Sequence, residues 1–256
     1  MRAVTGEIVP DSQHRSLLAA LPGRVRNFAV LARLDRPIGW WLLFWPCAWA
    51  VLLAGGGGQW GLIAWMLLGA IAMRGAGCVY NDIVDADLDR QVVAPVAAYP
   101  FMKRITWWPQ AWLGLVFSWG ALVGWTDLRS DRLEVLAALY AGSIFWVIGY
   151  DTIYAVQDRE DDALVGIRSS ALRMGSRVRA GVAAFYAAAL ACWGLAFWWV
   201  RPDWLALVAL VPMALHLAWQ VASLDASDAD NALARFRSNR FAGLLMALAC
   251  WVVGNA

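Results

Sequence analysis

The sequence is poor in charge and in the side chains on which many soluble enzymes rely. Charged residues make up 16% of its 256 positions and histidine occurs twice, whereas 61% of the residues are hydrophobic and 18 are tryptophan. Soluble domains carry about one quarter charged residues. The composition therefore excludes an ordinary soluble domain. It predicts an all-α, polytopic membrane helix bundle, because helices satisfy their own backbone hydrogen bonds in lipid.

Several common kinds of site are missing as well. The four cysteines lie inside apolar runs, at none of the spacings that metal ligands use, so we interpret them as packing residues. The glycines at 55–58 are followed by no Lys-Ser/Thr pair, which excludes a phosphate-binding P-loop. His14 and His216 each stand alone, and we interpret His216 as a packed residue. We expect no nucleic-acid partner.

Residues 1–35 form an N-terminal arm in our interpretation, and residues 36–256 form the transmembrane domain. Arg15, Arg24, Arg26 and Arg33 alternate with apolar residues in the arm, without a continuous apolar stretch. A cleaved signal peptide is therefore not expected. The pattern favours a basic amphipathic helix that lies on the surface of the lipid bilayer.

Seven apolar segments follow the arm, each close to the length that crosses a bilayer. Tryptophans cluster at their ends, as expected at membrane interfaces. The sequence thus predicts about seven transmembrane helices. The segments occupy approximately residues 38–54, 60–80, 109–125, 133–150, 180–200, 204–222 and 241–254.

Lysine and arginine are unevenly distributed between the two sides of this alternation. Of the 21 basic residues, 18 fall on the side of the N-terminal arm, and the other side holds only Arg129, Arg132 and Arg201. The positive-inside rule therefore predicts that the arm faces the cytoplasm. We expect the chain to lie in a bacterial inner membrane.

An acidic stretch closes the second segment. Asn81, Asp85 and Asp89 fall at i, i+4 and i+8 on one helical face, with Asp82 beside them and Asp87 on another face. Carboxylates this close repel one another unless a cation holds them. Hard oxygen ligands with room beside them suit Mg²⁺ that bridges to a phosphate-bearing substrate.

A second acidic stretch closes the fourth segment, where Asp151, Tyr154, Asp158 and Asp162 lie along one helical face. Both stretches end even-numbered segments, so both face the same side and can share one cavity. Two such faces can hold Mg²⁺ against a diphosphate and stabilise it as a leaving group. If the diphosphate is on an allylic lipid, the apolar interior can house the tail and shield the carbocation.

These residues carry a resemblance to a known family. Asn81, Asp82, Asp85 and Asp89 match the Asn-Asp-x-x-Asp-x-x-x-Asp signature of UbiA-type intramembrane aromatic prenyltransferases, and residues 150–162 match the second signature of that family. Residues 35–39 and 99–104 resemble its 4-hydroxybenzoate polyprenyltransferase subfamily. The resemblance implies Mg²⁺-dependent transfer of a polyprenyl group from polyprenyl diphosphate to 4-hydroxybenzoate, in ubiquinone biosynthesis.

The resemblance also implies the roles of individual residues. Tyr99 and Lys103 would line the polar site with Tyr154, and Arg36 and Arg104 would bind the substrate carboxylate or the diphosphate. Asp151 or Asp162 could accept the phenol proton, a hypothesis that rests on position alone. Lys103 is a further catalytic candidate. The metal ligands implied are Asn81, Asp82, Asp85, Asp89, Asp158 and Asp162.

One part of the family pattern is absent. The family has nine membrane helices, with a basic loop and a helical hairpin after its first acidic signature, whereas here residues 91–98 lead almost directly into Tyr99. We interpret the chain as lacking the third and fourth helices. The loss of two helices leaves both acidic stretches on one side, and we expect a gap in the bundle with residues 91–109 on the cytoplasmic face.

Other functions fit parts of the pattern. CDP-alcohol phosphotransferases also use Mg²⁺ and aspartates, but the Asp-Gly-x-x-Ala-Arg string that they need does not occur here. Cation transporters place acidic residues near the bilayer midplane, whereas these lie at helix ends. A prenyltransferase with another aromatic or quinone acceptor, and an inactive deletion variant of the family, remain as alternatives.

Overall fold

A computed structural model gives the fold of the chain over residues 20–86, 102, 105–159 and 168–255. For residues 80–86 it describes the backbone alone. Within these ranges the regular elements are helices and no strand occurs, which confirms the predicted all-α class.

The helices are numbered here in chain order, and a 3₁₀ turn at Gly175–Arg177 joins α7 to α8. They are α1 Gly23–Leu31, α2 Ile38–Leu53, α3 Trp60–Ala86, α4 Pro109–Phe117, α5 Trp119–Thr126, α6 Leu133–Gln157, α7 Ser170–Met174, α8 Val178–Val200, α9 Trp204–Val208, α10 Val211–Ser223 and α11 Ala229–Gly254.

Several of these helices can cross a bilayer. Four stretches in the described part of the chain have the length and apolar composition required, namely Trp60–Val79, Leu133–Gln157, Ser170–Val200 and Trp204–Ser223, and Ile38–Leu53 is a shorter apolar helix. The chain is therefore an integral membrane protein. Each of the seven predicted segments coincides with a helix or a pair of helices, while their number as membrane spans stays a prediction.

Several elements depart from the predicted segments, and two of them show why. Helix α11 begins well before residue 241, because Asp228 caps its start by accepting a hydrogen bond from the backbone N of Asn231 at 3.0 Å. The segment predicted at 109–125 is divided at Ser118 into α4 and α5. Hydrophobicity predicted the apolar part of each helix. It did not predict the polar start of α11 or the break at Ser118.

Helix α6 lies at the centre of the bundle and packs against α8, α4 and α11. Its glycines allow close approach: a Cβ at Gly142 would lie 2.5 Å from the ring of Trp193, and one at Gly149 would lie 2.5 Å from the ring of Tyr186. Membrane helices associate through such close packing, because lipid supplies no hydrophobic drive between them. The position of α6 is thus fixed by shape.

Polar side chains also join the helices inside the bundle. The hydroxyl of Tyr186 donates to Oε1 of Gln220 at 2.6 Å, and Nε2 of Gln220 lies 2.8 Å from the hydroxyl of Ser238 and 3.3 Å from Nε2 of His216. His216 is therefore a hydrogen-bonded packing residue, which confirms its interpretation from the sequence.

Gly243 lies at a close contact between α2 and α11. A Cβ at Gly243 would lie 2.0 Å from Cδ1 of Trp45, and the backbone oxygen of Gly243 accepts a hydrogen bond from Nε1 of Trp49 at 2.9 Å. We expect Gly243→Ala to force these helices apart and to lower the stability by about 1–3 kcal/mol, the usual cost of overpacking. The measurement is the thermal unfolding temperature of the detergent-solubilised protein.

Gly69→Ala is the matched control for this prediction. Gly69 is also a helical glycine, but nothing lies within 4 Å of the position of its Cβ. We expect the unfolding temperature of this variant to stay unchanged or to rise slightly, because alanine favours a helix over glycine. An equal loss of stability in both variants would contradict the role given to the Gly243 contact.

Candidate active site

A cavity of about 1020 Å³ opens between α2, α3, the α4–α5 pair and α6. One end is lined by charged and polar side chains and the other by apolar ones. Along α2 the wall runs from Arg36 to Cys47, and along α3 it runs from Cys78 back to Met66. The cavity therefore extends from one end of the bundle into its apolar interior, like a site for an amphipathic molecule.

The last turns of α6 form one polar wall. Asp151, Tyr154 and Asp158 all line the cavity, at the i, i+3 and i+7 positions of a single helical face. Asp151 is 9% exposed, whereas Asp158 follows the last residue of the helix. The sequence predicted that these residues share a face, and the structure shows that this face lines a cavity.

The opposite wall leads into the first acidic stretch. Arg74 and Cys78 line the cavity from α3, at the i and i+4 positions of one helical face. The backbone of Asn81, Asp82 and Asp85 lies further along the same helix, at positions that continue this face. The backbone of the first acidic stretch therefore starts where the cavity wall ends. The remaining predicted site residues, Asp89, Tyr99, Lys103, Arg104 and Asp162, lie outside the described residues.

Arg36 was predicted as a substrate contact, and it lies at the polar end of the cavity. Its Nε is 3.6 Å from Oδ2 of Asp35, whose side chain is buried and 7% exposed. A buried carboxylate beside a guanidinium restrains its orientation and offsets its charge. Asp35 thus offsets part of the charge of Arg36 at the mouth of the cavity.

Arg74 is a cavity residue that the sequence interpretation did not assign to the site. Its guanidinium lies directly against Gly39 of α2, where an added Cβ would be 2.4 Å from Nε of Arg74. The signal was present in the sequence, because an arginine within an apolar membrane helix is costly unless it has a partner or a function. Gly39 provides the space that brings Arg74 to the same end of the cavity as Arg36.

Arg168 and Arg33 are two further cavity residues that sequence reasoning did not assign to the site. Nη1 of Arg168 donates to the backbone oxygen of Ile105 at 2.8 Å, and its guanidinium carbon is 5.5 Å from the centre of the Trp107 ring. Arg168 therefore connects the chain after the second acidic stretch to the chain before α4. No periodicity indicates such a contact, because both residues lie outside the long helices.

The apolar end of the cavity is closed on one side and open on another. Helices α2 and α5 touch at Gly120, where a Cβ would meet the thiol of Cys47. Helix α3, in contrast, packs mainly against α2, and the cavity-lining residues Met73 of α3 and Trp119 of α5 are 56% and 61% exposed. The cavity thus opens sideways between α3 and the α4–α5 pair, towards the lipid.

Within the described ranges, no three acidic, histidine or cysteine side chains form a cluster that could hold a metal ion. Of the predicted ligands, Asp158 alone has a described side chain. The predicted metal site therefore stays a prediction, and what the structure adds is the common cavity at which both acidic helices end.

Comparisons with known proteins agree with this architecture. The model of the UbiA prenyltransferase family matches residues 43–95 and 92–251. The mitochondrial 4-hydroxybenzoate polyprenyltransferase of Arabidopsis thaliana is 35% identical, over 88% of this chain and 68% of that protein. The human protein of the same name is 35% identical, over 96% of this chain and 81% of that protein.

A solved structure shares the fold. The apo structure of a UbiA homologue from Aeropyrum pernix K1 superposes with a TM-score of 0.61 at 19% identity. The superposition covers 83% of this chain and 97% of that one. At this level of identity the similarity concerns the fold alone, and it confirms the helix bundle.

The alignments also show a shortfall in this chain. The Arabidopsis alignment runs over 277 positions, of which this chain fills about 225 (88% of 256), so about 52 positions have no counterpart here. The family match comes in two pieces that meet at residues 92–95. A membrane helix needs about 20 residues. The shortfall therefore has the length of a helical hairpin and agrees with the pair of helices that the sequence interpretation found missing.

The contact between Gly39 and Arg74 leads to a prediction for ligand binding. In Gly39→Ala the new methyl group must displace the guanidinium of Arg74, so we expect the affinity of the cavity for an aromatic carboxylate, with 4-hydroxybenzoate as the probe, to fall about tenfold. The measurement is the rise in unfolding temperature of the detergent-solubilised protein as the probe is titrated.

Gly77→Ala is the control, because Gly77 also lines the cavity but has nothing within 4 Å of the position of its Cβ. This variant should bind the probe like the parent chain. If the two alanine variants lose affinity to the same extent, Arg74 is not the group that Gly39 positions for binding.

Proposed function

The chain belongs to the UbiA prenyltransferase family, and from this membership we propose that it transfers a polyprenyl group from polyprenyl diphosphate to the ring of 4-hydroxybenzoate, as a step of ubiquinone biosynthesis. The observation that carries the proposal is the single cavity, with arginines and aspartates at one end and apolar side chains at the other. The names of the relatives, from Arabidopsis to human, support the choice of substrates.

The diphosphate binds at the polar end in this proposal. Arg33, Arg36, Arg74 and Arg168 provide positive charge there, and Asp158 faces the same space. Magnesium held by Asn81, Asp82, Asp85, Asp89, Asp158 and Asp162 would neutralise the diphosphate and make it a better leaving group. The donor set fits this ion, because all six ligands are carboxylate or amide oxygens.

Departure of the diphosphate with the electrons of the C–O bond leaves an allylic cation on the prenyl chain. Aromatic rings are available to stabilise it: Tyr154 and Phe236 both line the cavity, with ring centres 4.7 Å apart, and Tyr150 lies one turn before Tyr154. Their π faces favour a nearby cation. The apolar end between α2, α3 and α4–α5 receives the tail, and the sideways opening lets a longer tail continue into lipid.

The acceptor is held by its carboxylate and activated at its hydroxyl. Arg74 lies against Gly39, and Arg36 lines the same end of the cavity, so the two can bind the carboxylate. Tyr99, Lys103, Arg104 and Tyr154 remain substrate-binding candidates from the family resemblance. The ring carbon ortho to the hydroxyl forms the new C–C bond, and a base takes the proton released. Asp151 lines the cavity and is our first candidate for this base, with Asp162 as the second and Lys103 as a further catalytic candidate.

We also propose that the polar end of the cavity faces the cytoplasm, in a bacterial inner membrane. The distribution of 18 of the 21 basic residues on that side supports this orientation. Several relatives are mitochondrial proteins. A different aromatic or quinone acceptor is the first alternative. An inactive variant is the second, and the shortfall of about 52 aligned positions beside the site favours it.

The first test is turnover and its dependence on metal. Membranes that contain the chain should convert polyprenyl diphosphate and 4-hydroxybenzoate to the prenylated acid with Mg²⁺, lose this activity in EDTA, and regain it with Mg²⁺ or Mn²⁺. Formation of the product is measured by chromatography. Full turnover in chelator would contradict the metal site, and no turnover under any condition would favour the inactive variant.

Asp158→Ala extends this test to a single ligand, and we expect its activity to fall by about a hundredfold or more. Asp131→Ala is the matched control. Asp131 lies just before α6, at the far end of that helix from Asp158, and its backbone oxygen rather than its side chain accepts from Trp125. The control should keep its activity, and an equal loss in both variants would argue against a ligand role for Asp158.

The proton-transfer step makes a separate prediction. If a carboxylate removes the phenol proton as the ring attacks, an acceptor with a methoxy group in place of the hydroxyl should react at least about a hundredfold more slowly. The comparison uses single-turnover rates at saturating prenyl diphosphate. Equal rates for the two acceptors would rule out a base at Asp151 or Asp162.

A further inference from the structure

Helix α1 ends in a conformation that normally requires glycine. Arg33, the second residue beyond the helix, has φ of 53°, in the left-handed region. Its backbone N donates to the oxygen of Val30 at 3.0 Å, and the N of Leu34 donates to the oxygen of Ala29 at 2.9 Å. This pair of bonds is the Schellman motif, in which the left-handed position is usually glycine.

An arginine in this position costs stability that a glycine would not. The left-handed conformation brings Cβ close to the following carbonyl oxygen, a steric cost that glycine avoids because it has no Cβ. Such strain persists where the surrounding structure enforces it, and it is concentrated at functional sites. A strained backbone at a residue that also lines the cavity therefore makes Arg33 a candidate functional residue.

The position of the side chain indicates that use. Arg33 lines the cavity together with Arg36, and the backbone N of Arg36 donates to the oxygen of Arg33 at 3.1 Å, so one short turn brings both arginines to the polar end. A right-handed residue at 33 would continue α1 and carry the chain in another direction. The left-handed turn thus places two guanidinium groups at the same mouth.

A second arginine in the chain has the same backbone but a different environment. Arg132 has φ of 57° and precedes α6 at the end of that helix farthest from Asp158. Its Nε lies 3.1 Å from Glu134, its guanidinium also donates to the backbone oxygen of Trp199, and it does not line the cavity. Arg132 is therefore an internal control for the effect of backbone strain alone.

We propose that Arg33 is an anion-binding residue of the active site, placed there by the strained end of α1. The proposal rests on the proposed function, since the anion is a substrate group, either the diphosphate of the prenyl donor or the carboxylate of the acceptor. Arg33 binds it through charge-assisted hydrogen bonds, and the left-handed backbone fixes the direction from which they are made.

The test compares four variants of the full chain in detergent. Arg33→Gly and Arg33→Asn both tolerate the left-handed backbone and lack the charge, Arg33→Lys keeps the charge, and Arg132→Gly is the control. For each, the unfolding temperature is measured alone, with inorganic pyrophosphate and Mg²⁺, and with 4-hydroxybenzoate. Where the parent chain turns over, the KM of each substrate is measured as well.

We expect the unfolding temperature without ligand to be unchanged or raised by a few degrees in Arg33→Gly and Arg33→Asn, because the strain is relieved. In these two variants about tenfold more of one anion should be needed for the same rise in unfolding temperature, or the KM of the matching substrate should rise about tenfold. Arg33→Lys should recover part of this loss. The probe affected identifies whether Arg33 meets the diphosphate or the carboxylate. Arg132→Gly should keep the response of the parent to both probes.

Two results would overturn the proposal. A fall in unfolding temperature with both ligand responses intact in Arg33→Gly and Arg33→Asn would make Arg33 a structural residue only. An equal loss of ligand response in Arg33→Gly and Arg132→Gly would mean that loosening of the fold explains the effect. If the parent chain binds the probes but does not turn over, the proposed function fails while the role of Arg33 is still decided by the ligand responses.

Discussion

The close packing of α6 inside the bundle is the constraint on which the rest of the structure depends. One side of this helix is held against α8 by Gly142 and Gly149, which leave room for the rings of Trp193 and Tyr186. A helix held so closely cannot rotate, so Asp151 and Asp158 stay directed at the cavity. In lipid the hydrophobic effect does not drive helices together. Close packing by shape therefore fixes the position of α6, as burial of apolar side chains does in a soluble protein.

Much of this arrangement could be predicted from the sequence, and the exceptions have a common cause. Periodicity and apolar length located α3, α6 and α8 and placed Asp151, Tyr154 and Asp158 on one face, because those features are local to one helix. The parts that were missed are relations between elements. Arg74 reaches the site only because Gly39 is on a neighbouring helix, and Arg33 reaches it only because α1 ends in a left-handed turn.

The sideways opening follows from the same packing rule. Within the described part of the chain, α3 packs mainly against α2, and the face of α3 that lines the cavity carries exposed residues such as Met73. Met73 and Trp119, which line the cavity at this opening and are exposed, can meet lipid at little cost, because lipid is as apolar as a helix neighbour. The absence of a helical hairpin at this opening would therefore remove shielding of the cavity from lipid, more than support for α3.

The charged side chains at the polar end are, by contrast, the energetically least favourable feature of this site. Among the residues with described side chains, four arginines and two aspartates line one cavity whose far end is apolar, so charges of both signs are concentrated at its polar end. Isolated charges beside low-dielectric walls are unfavourable unless each has a partner. Asp35 lies 3.6 Å from Arg36 and offsets its charge, and Arg168 donates to the backbone oxygen of Ile105. Arg33 and Arg74 line the same end of the cavity, where an anionic substrate can approach. Under the proposed function, a diphosphate and its cations supply further partners to both signs at once, which makes this concentration of charge a source of affinity for the substrate.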